Sequence, residues 1–335
     1  MRDRAHLPRR AASLAVAAFA CGLAATLAAA QPLPSWNDGP AKRAIVRFVT
    51  DATTPGTPSF VPPAERIAVF DNDGTLWPEQ PMYVQLAFAL DRVRALAPQH
   101  PDWKERQPFK AALEGDAKAL AESGERGLLE LVMATHAGMT SDAFAQVVRD
   151  WMRTARHPTI GRPYTELAFV PMRELLDYLR ANGFATWIVS GGGVEFLRVF
   201  AEELYGVPPE QVIGSGIKAR YEVRDGGPVI VRLPEIDFID DKAGKPVGIH
   251  KFIGRRPIAA FGNSDGDVEM LEWTTTGPGP RLGVLVHHDD AGREFAYDRA
   301  SPFGKLDRGL DEARTRRWVV VSIGNDWRTV YAPAR

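Results

Sequence analysis

Cysteine is almost missing from this chain: among 335 residues there is one, Cys21. A single cysteine closes no internal disulfide and builds no thiolate zinc site, so the fold must rest on its apolar core. An excess of one charge sign is missing too. Lys and Arg number 41 against 42 Asp and Glu, a net charge of −1, which removes the bulk signature of a nucleic-acid or anionic-membrane binder. Repeats are absent, and the one long uncharged run is Ala11 to Ala30. It follows a start in which Arg2, Arg4, Arg9 and Arg10 oppose Asp3, and it ends on Ala28-Ala29-Ala30. That three-part layout reads as a signal peptide over 1–30. A retained membrane anchor is the competing reading, but the run is mostly Ala and weakly apolar. Arg9-Arg10 lacks the flanks of a twin-arginine signal, and Ala18-Phe19-Ala20 makes a lipid anchor on Cys21 the lesser alternative. The expectation is a periplasmic or secreted protein with no membrane contact after cleavage. Without the leader's four basic residues and one acid, 37 basic residues face 41 acidic ones.

What remains has the layout of one α/β domain with an insertion. Residues 31–63 are rich in Pro, Thr and Gly, with one helical stretch around Ala41 to Phe48, and read as a tether. Arg66 to Phe70 is a short apolar run of the kind found in strands covered on both faces. No comparable strand follows between Pro78 and Tyr164; helical patterns recur at Met82–Leu96, Lys110–Leu120, Arg126–His136 and Ser141–Thr154. Residues 78–164 therefore read as a helical insertion within a core of 64–77 and 165–335. In that core a helix opened by Pro171 and closed by Asn182-Gly183 leads to a buried strand, Phe184–Val189. A helix near Val194–Leu204, polar strands between Val212 and Ile239, and apolar strands at Ile258–Phe261, Leu282–Val286 and Val319–Ser322 complete it. Such alternation predicts a central parallel sheet with helices on both faces, and ligands at the carboxyl edge of its strands.

Three polar or glycine-rich clusters fall at that edge. Asp71 and Asp73 lie two apart directly after the first strand, so alternation points both carboxylates one way, with Gly74 for the turn and Thr75 offering a hydroxyl. Converging carboxylates repel unless a proton or a hard cation such as magnesium intervenes. An Asp-rich turn that merely ends a strand is the plain alternative. Ser190 with Gly191, Gly192 and Gly193 supplies a hydroxyl and free amides that suit a phosphate. Lys245, at a helix start, can neutralise charge shared by a carboxylate and a phosphate, with Lys251 as the reserve candidate.

Together these residues resemble the haloacid dehalogenase (HAD) superfamily. Asp71-Asn72-Asp73-Gly74-Thr75-Leu76 is similar to its first motif, Ser190 to the second, Lys245 to the third and Gly262 to Asp267 to the fourth. Ser-Gly-Gly after the second strand and a helical cap after the first motif are most similar to the phosphoserine-phosphatase-like branch. The resemblance implies a Rossmann-like core with a C1-type cap, and an aspartyl-phosphate formed on Asp71. Asp73 then protonates the leaving alcohol and activates water. Ser190, Gly191 and Lys245 would hold the phosphoryl oxygens, and Mg2+ would be held by Asp71, the backbone carbonyl of Asp73 and a side chain among Asn263, Asp265 and Asp267. Asp73 separates the chain from dehalogenases, which lack that acid. Asn263 departs from the family pattern, because an acid usually stands there.

Weaker signals surround these. Glu79 is similar in place to a cap-proximal acid that reads a substrate amine, displaced by about one residue, and helix-capping or surface solvation is the preferred reading. Trp77 and Tyr83 could box a quaternary ammonium, though simple packing against the cap is the preferred reading, and His287-His288-Asp289-Asp290 reads as a solvated strand-end loop rather than a second metal site. The expected activity is hydrolysis of a small phosphate monoester. A phosphomutase and a non-catalytic phosphate- or metabolite-binding protein are the alternatives, and oligomeric state is open.

Overall fold

The computed structural model describes residues 32–334; the expected leader, with Cys21 and the paired arginines, lies outside them. The segment expected as a tether belongs to the core. Pro40 at the first turn opens α1 (Pro40–Thr53), whose Ile45, Val49 and Ala52 form a fully buried stripe at helical spacing. Ahead of it the Trp36 indole donates to the Pro171 carbonyl at 3.0 Å and meets Trp327 edge-on at 6.0 Å. Asn37 donates to the Asp326 carbonyl at 2.8 Å and Arg328 to the Ser35 carbonyl at 2.7 Å, so this segment is clasped to the other end of the chain.

Strand β1 (Ile67–Phe70) is buried throughout. Ile67 and Val69 enter one hydrophobic core and Ala68 and Phe70 the other, which is why the strand reads as a continuous apolar run. The cap follows as α2 (Val84–Leu96), α3 (Phe109–Glu114), α4 (Ala117–Glu122), α5 (Gly124–His136) and α6 (Ser141–Thr154). The single helix expected over Lys110–Leu120 is broken: Gly115 turns left-handed at φ 72° to end α3, and the Asp116 carboxylate caps α4 through the amides of Lys118 and Ala119. Leu90, Val93, Trp103, Phe109 and Leu131 give the cap a small core of its own.

The chain then returns through α7 (Val170–Ala181), β2 (Ala185–Gly193), α8 (Val194–Leu197) and α9 (Ala201–Tyr205) to a long hairpin, β3 (Val212–Arg224) and β4 (Gly227–Phe238). The hairpin reaches the cap: the Arg232 amide donates to the Met139 carbonyl, and Gly138 donates to the Arg232 carbonyl, both at 2.9 Å. Next come α10 (Gly244–Phe252), β5 (Ala259–Gly262), α11 (Val268–Thr275), β6 (Leu282–Asp289), β7 (Ala296–Tyr297), α12 (Arg308–Arg316), β8 (Val319–Ser322) and α13 (Ile323–Asp326). The sheet runs β4-β3-β2-β1-β5-β6-β7, with β8 on β6; only the pairs β3–β4 and β6–β7 are antiparallel. This is the expected mixed α/β fold with a central, mostly parallel sheet. Phe70 is in register with Ile188 on one side and Phe261 on the other, so β1, β2 and β5 end side by side.

Candidate active site

Asp71 follows β1 directly and its amide donates to the Phe261 carbonyl at 2.9 Å, which holds the first motif against β5. The chain then folds back on itself: Leu76 donates to the Asn72 carbonyl and Gly74, at φ 77°, donates to the Trp77 carbonyl, each at 2.8 Å. A Cβ on Gly74 would lie 2.1 Å from the Asn263 amide nitrogen and 2.4 Å from a Glu79 oxygen, so the turn needs glycine for space as well as for φ.

Lys245, on α10, is the hub of the site. Its ammonium is 2% exposed and donates to Asp71 Oδ1 and Asp267 Oδ1, both at 2.6 Å, and to the Val189 carbonyl at 3.0 Å. Burial works against its charge, but Asp267 and Asp71 outweigh that and hold it well above an ordinary lysine. Lys251 is exposed beside Phe252 and has no part here. Ser190 is buried at the end of β2, its hydroxyl accepting from the Gly192 amide at 3.1 Å, and Gly191 lines the same cavity. The sequence thus brings Asp71, Asp73, Ser190, Gly191 and Lys245 to one cavity of about 460 Å³ beneath the cap.

The fourth motif is arranged differently from its expected role. Both Asp267 oxygens are engaged: Oδ1 by Lys245 and Oδ2 by the amides of Asn263 and Ser264 at 3.0 and 3.1 Å. Asp267 therefore shapes the loop and anchors Lys245 rather than standing free as a metal ligand. Asp265 turns away, accepting from the amides of Asp307 and Gly309 at the start of α12. Asn263 is held from two sides, its Oδ1 accepting from the Thr75 hydroxyl at 3.0 Å and its amide donating to Glu79 at 2.6 Å. Glu79 is 2% exposed and also accepts from the Tyr297 hydroxyl at 2.8 Å. It is walled into the floor rather than presented to a substrate amine.

Electrostatics at this floor are one-sided. Asp71, Asp73 and Asp267 share one ammonium, and Glu79 adds a further acid close to Asp71 and Asp73. Burial and then the nearby Asp267 charge push Asp71 well above the carboxylate range, burial lifts Asp73 to about 6, and burial lifts Glu79. A hard cation would relieve that repulsion, and the donors are all oxygens: the Asp71 carboxylate on its Oδ1 side, the Asp73 carbonyl and the Asn263 Oδ1. Among the described residues no group of three His, Cys, Asp or Glu side chains forms a ready metal cage, in keeping with an amide standing where an acid would complete one.

Several groups take positioning roles that their sequence context did not indicate. The Trp77 indole, fully buried against Phe200, donates to Asp73 Oδ1 at 2.8 Å; it anchors the second acid and cannot form an aromatic box with Tyr83. His288, expected in a solvated loop, is 2% exposed and donates from Nε2 to the Gly74 carbonyl at 2.8 Å. From the cap, Gln85 accepts from the Gly193 amide at 2.7 Å, so helix α2 touches the glycine loop directly. The contacts of His288 with Gly74 and of Gln85 with Gly193 join segments more than 100 residues apart, where no local pattern marks them, whereas Trp77 reaches Asp73 within a single turn.

A doubly wound α/β sheet with an acid pair, a buried lysine and a hydroxyl at the carboxyl edge of neighbouring strands defines a hydrolase class. The chain belongs to the haloacid dehalogenase-like hydrolases, whose family model matches residues 68–272. No curated protein matches it. Solved structures do: a protein of unknown function from Bordetella pertussis Tohama I is 20% identical, covering 77% of this chain and 98% of that one, with a TM-score of 0.48. A conserved functionally unknown protein from Anaerococcus prevotii DSM 20548 is 18% identical over 84% and 90%, with a TM-score of 0.51. A phosphoserine phosphohydrolase-like protein from Francisella tularensis subsp. tularensis SCHU S4 is 17% identical over 75% and 98%, with a TM-score of 0.38. The likeness to the Anaerococcus prevotii protein, at 18% identity, speaks to fold alone.

Proposed function

We propose that the protein is an exported, magnesium-dependent phosphomonoesterase that works through an aspartyl-phosphate on Asp71. The observation that carries this reading is the pairing of roles at the cavity floor. Lys245 occupies Asp71 Oδ1 and leaves Oδ2 as the nucleophile, while Asp73, two residues on, is held apart by Trp77. A site that only bound phosphate would have no use for a second acid poised near neutrality beside the first.

Asp71 Oδ2 attacks phosphorus as the ester P–O bond breaks, and the Asp73 carboxyl gives its proton to the departing alkoxide. Asp73, now ionised, takes a proton from water while the water oxygen attacks phosphorus. The bond from phosphorus to Asp71 breaks, phosphate leaves and Asp73 is protonated again. Lys245, the Ser190 hydroxyl and the Gly191 amide hold the phosphoryl oxygens as charge shifts among them. Mg2+, held by Asp71, the Asp73 carbonyl and Asn263, would offset charge on both the nucleophile and the phosphoryl group.

Support for export comes from the leader pattern alone, and no helix among the described residues is long and apolar enough to cross a membrane. A helical cap between the first and second motifs supports the phosphoserine-phosphatase-like branch. The test is phosphate release from p-nitrophenyl phosphate by the mature protein beside Asp71→Asn. Turnover abolished by chelator and by the variant is the expected result; turnover that survives Asp71→Asn would overturn the mechanism.

A further inference from the structure

The wall of the cavity opposite the phosphate floor is apolar. Helices α2 and α5 contribute Leu86, Leu128, Val132 and Met133, and the hairpin contributes Ile217 and Ile236. Leu128 and Ile236 are each 37% exposed, so this surface continues to the mouth.

The polar side chains on the cap side are already engaged with the protein. Gln85 accepts from Gly193 and donates to His136 Nε2 at 3.1 Å. His136 Nδ1 meets the Thr135 hydroxyl at 2.7 Å, and burial and then Arg232 hold the ring neutral with its pKa pushed down to about 3. Arg232, 5% exposed, donates from Nε to the His136 carbonyl at 2.7 Å, is ion-paired with Glu195, and lies over the Phe144 ring at 4.1 Å. Glu195 accepts in addition from the Ser141 hydroxyl at 3.1 Å. The acid that could greet an amine, Glu79, is sealed by Asn263 and Tyr297. Of the charged groups that remain, Lys242 is solvent-exposed at the rim and Asp241 lies against Gly191 and Gly266 on the floor.

A carboxylate, a second phosphate or an ammonium placed against this wall would lose its hydration where Gln85, His136, Arg232 and Glu195 are already paired with one another, Lys242 and Asp241 standing away from it at the rim and the floor. We infer that the substrate is a phosphate monoester of an uncharged, largely apolar alcohol, and that amino-acid, sugar-acid and bisphosphate esters are excluded. This rests on the hydrolase reading above and deepens it. The cap selects by covering carbon, not by reading a headgroup.

The experiment compares kcat/KM for a series of n-alkyl phosphates from ethyl to octyl with O-phosphoserine and 3-phosphoglycerate, with p-nitrophenyl phosphate as a reactive reference. Alkyl esters share a leaving-group type, so a trend among them reports the wall. The expected result is a rise of roughly threefold to fourfold per methylene until the wall is filled, with hexyl phosphate at least about 100-fold better than O-phosphoserine. Leu128→Lys, at the exposed mouth, is expected to lower kcat/KM for hexyl phosphate at least tenfold and to raise it for 3-phosphoglycerate. O-phosphoserine or 3-phosphoglycerate turned over as well as hexyl phosphate, or a flat alkyl series, overturns the inference and leaves the hydrolase intact. No turnover even of p-nitrophenyl phosphate overturns both.

Discussion

Replacing Lys245 with methionine keeps much of the side-chain volume and removes one charge from a place with almost no solvent. Three acceptors lose their donor at once: the carboxylates of Asp71 and Asp267 and the Val189 carbonyl. Removing one member of a buried ion pair costs about 3–5 kcal/mol, because the partner charge is left without compensation. For a chain of this size each kcal/mol moves Tm by about 2–3 °C, so a fall of about 6–15 °C is expected. The sign with pH follows from the stranded acids. Without the ammonium the Asp71 carboxyl, already lifted by burial and by the Asp267 charge, rises further above the unfolded value of about 3.9, so neutralising it favours the folded state, and stability is lost as pH rises through the folded value. The gap to wild type should therefore be widest at pH 8 and narrow towards pH 5. Calorimetric melts in chelator at pH 5, 6.5 and 8 measure both quantities. A Tm within about 2 °C of wild type, or a gap that widens in acid, would refute the account of Lys245 as the compensating charge.

Further outcomes follow from the neighbouring groups. With Asp73 lifted to about 6, kcat/KM for alkyl esters should fall as pH rises through that value, since the leaving alkoxide needs the protonated acid; a rate flat from pH 5 to 8 would count against the assignment. Asp73→Asn should cost about 10²–10⁴-fold with alkyl esters and much less with p-nitrophenyl phosphate, whose leaving group needs no proton; equal losses would remove Asp73 from the acid role. Trp77→Phe deletes a bond that favours the Asp73 carboxylate, so the alkaline limb should move up by about one pH unit, read from the same profiles. Glu79→Gln should weaken Mg2+ binding in calorimetry about tenfold or more by removing a charge behind Asn263, and adding Asn263→Asp should restore it; unchanged affinity in the single variant would place Glu79 outside the cation's field.

How much of this was legible in the sequence depends on how far the information travels along the chain. Asp71, Ser190 and Lys245 could be read because each ends or begins an element whose own pattern is local: a short apolar run, a glycine cluster, a helix start. The parallel sheet could be read for the same reason, from strands too apolar to have a wet face. Glu79 and Asn263 could be noticed one at a time, but their 184-residue separation hid the bond between them. His288 looked solvated because its neighbours are polar, whereas its ring is buried by Tyr297 stacked at 4.4 Å. Residues 31–63 looked like a tether because Pro, Thr and Gly flank a helix whose apolar stripe gains its value only from the surface it covers. Arg232 looked like one charge of a polar strand until the hairpin carried it beneath the cap.

The clasp between Ser35-Trp36-Asn37 and Asp326-Trp327-Arg328 bears on how the protein is made. Trp36 meets Pro171 early, but Ser35 and Asn37 find their backbone partners in Arg328 and Asp326 only after almost 300 further residues, and closing so large a loop comes late in folding. Until then Trp36 lacks its edge-on contact with Trp327, close to the proposed leader. On the proposed reading of export, this clasp would close only after the leader had been engaged, so the native structure would be completed late.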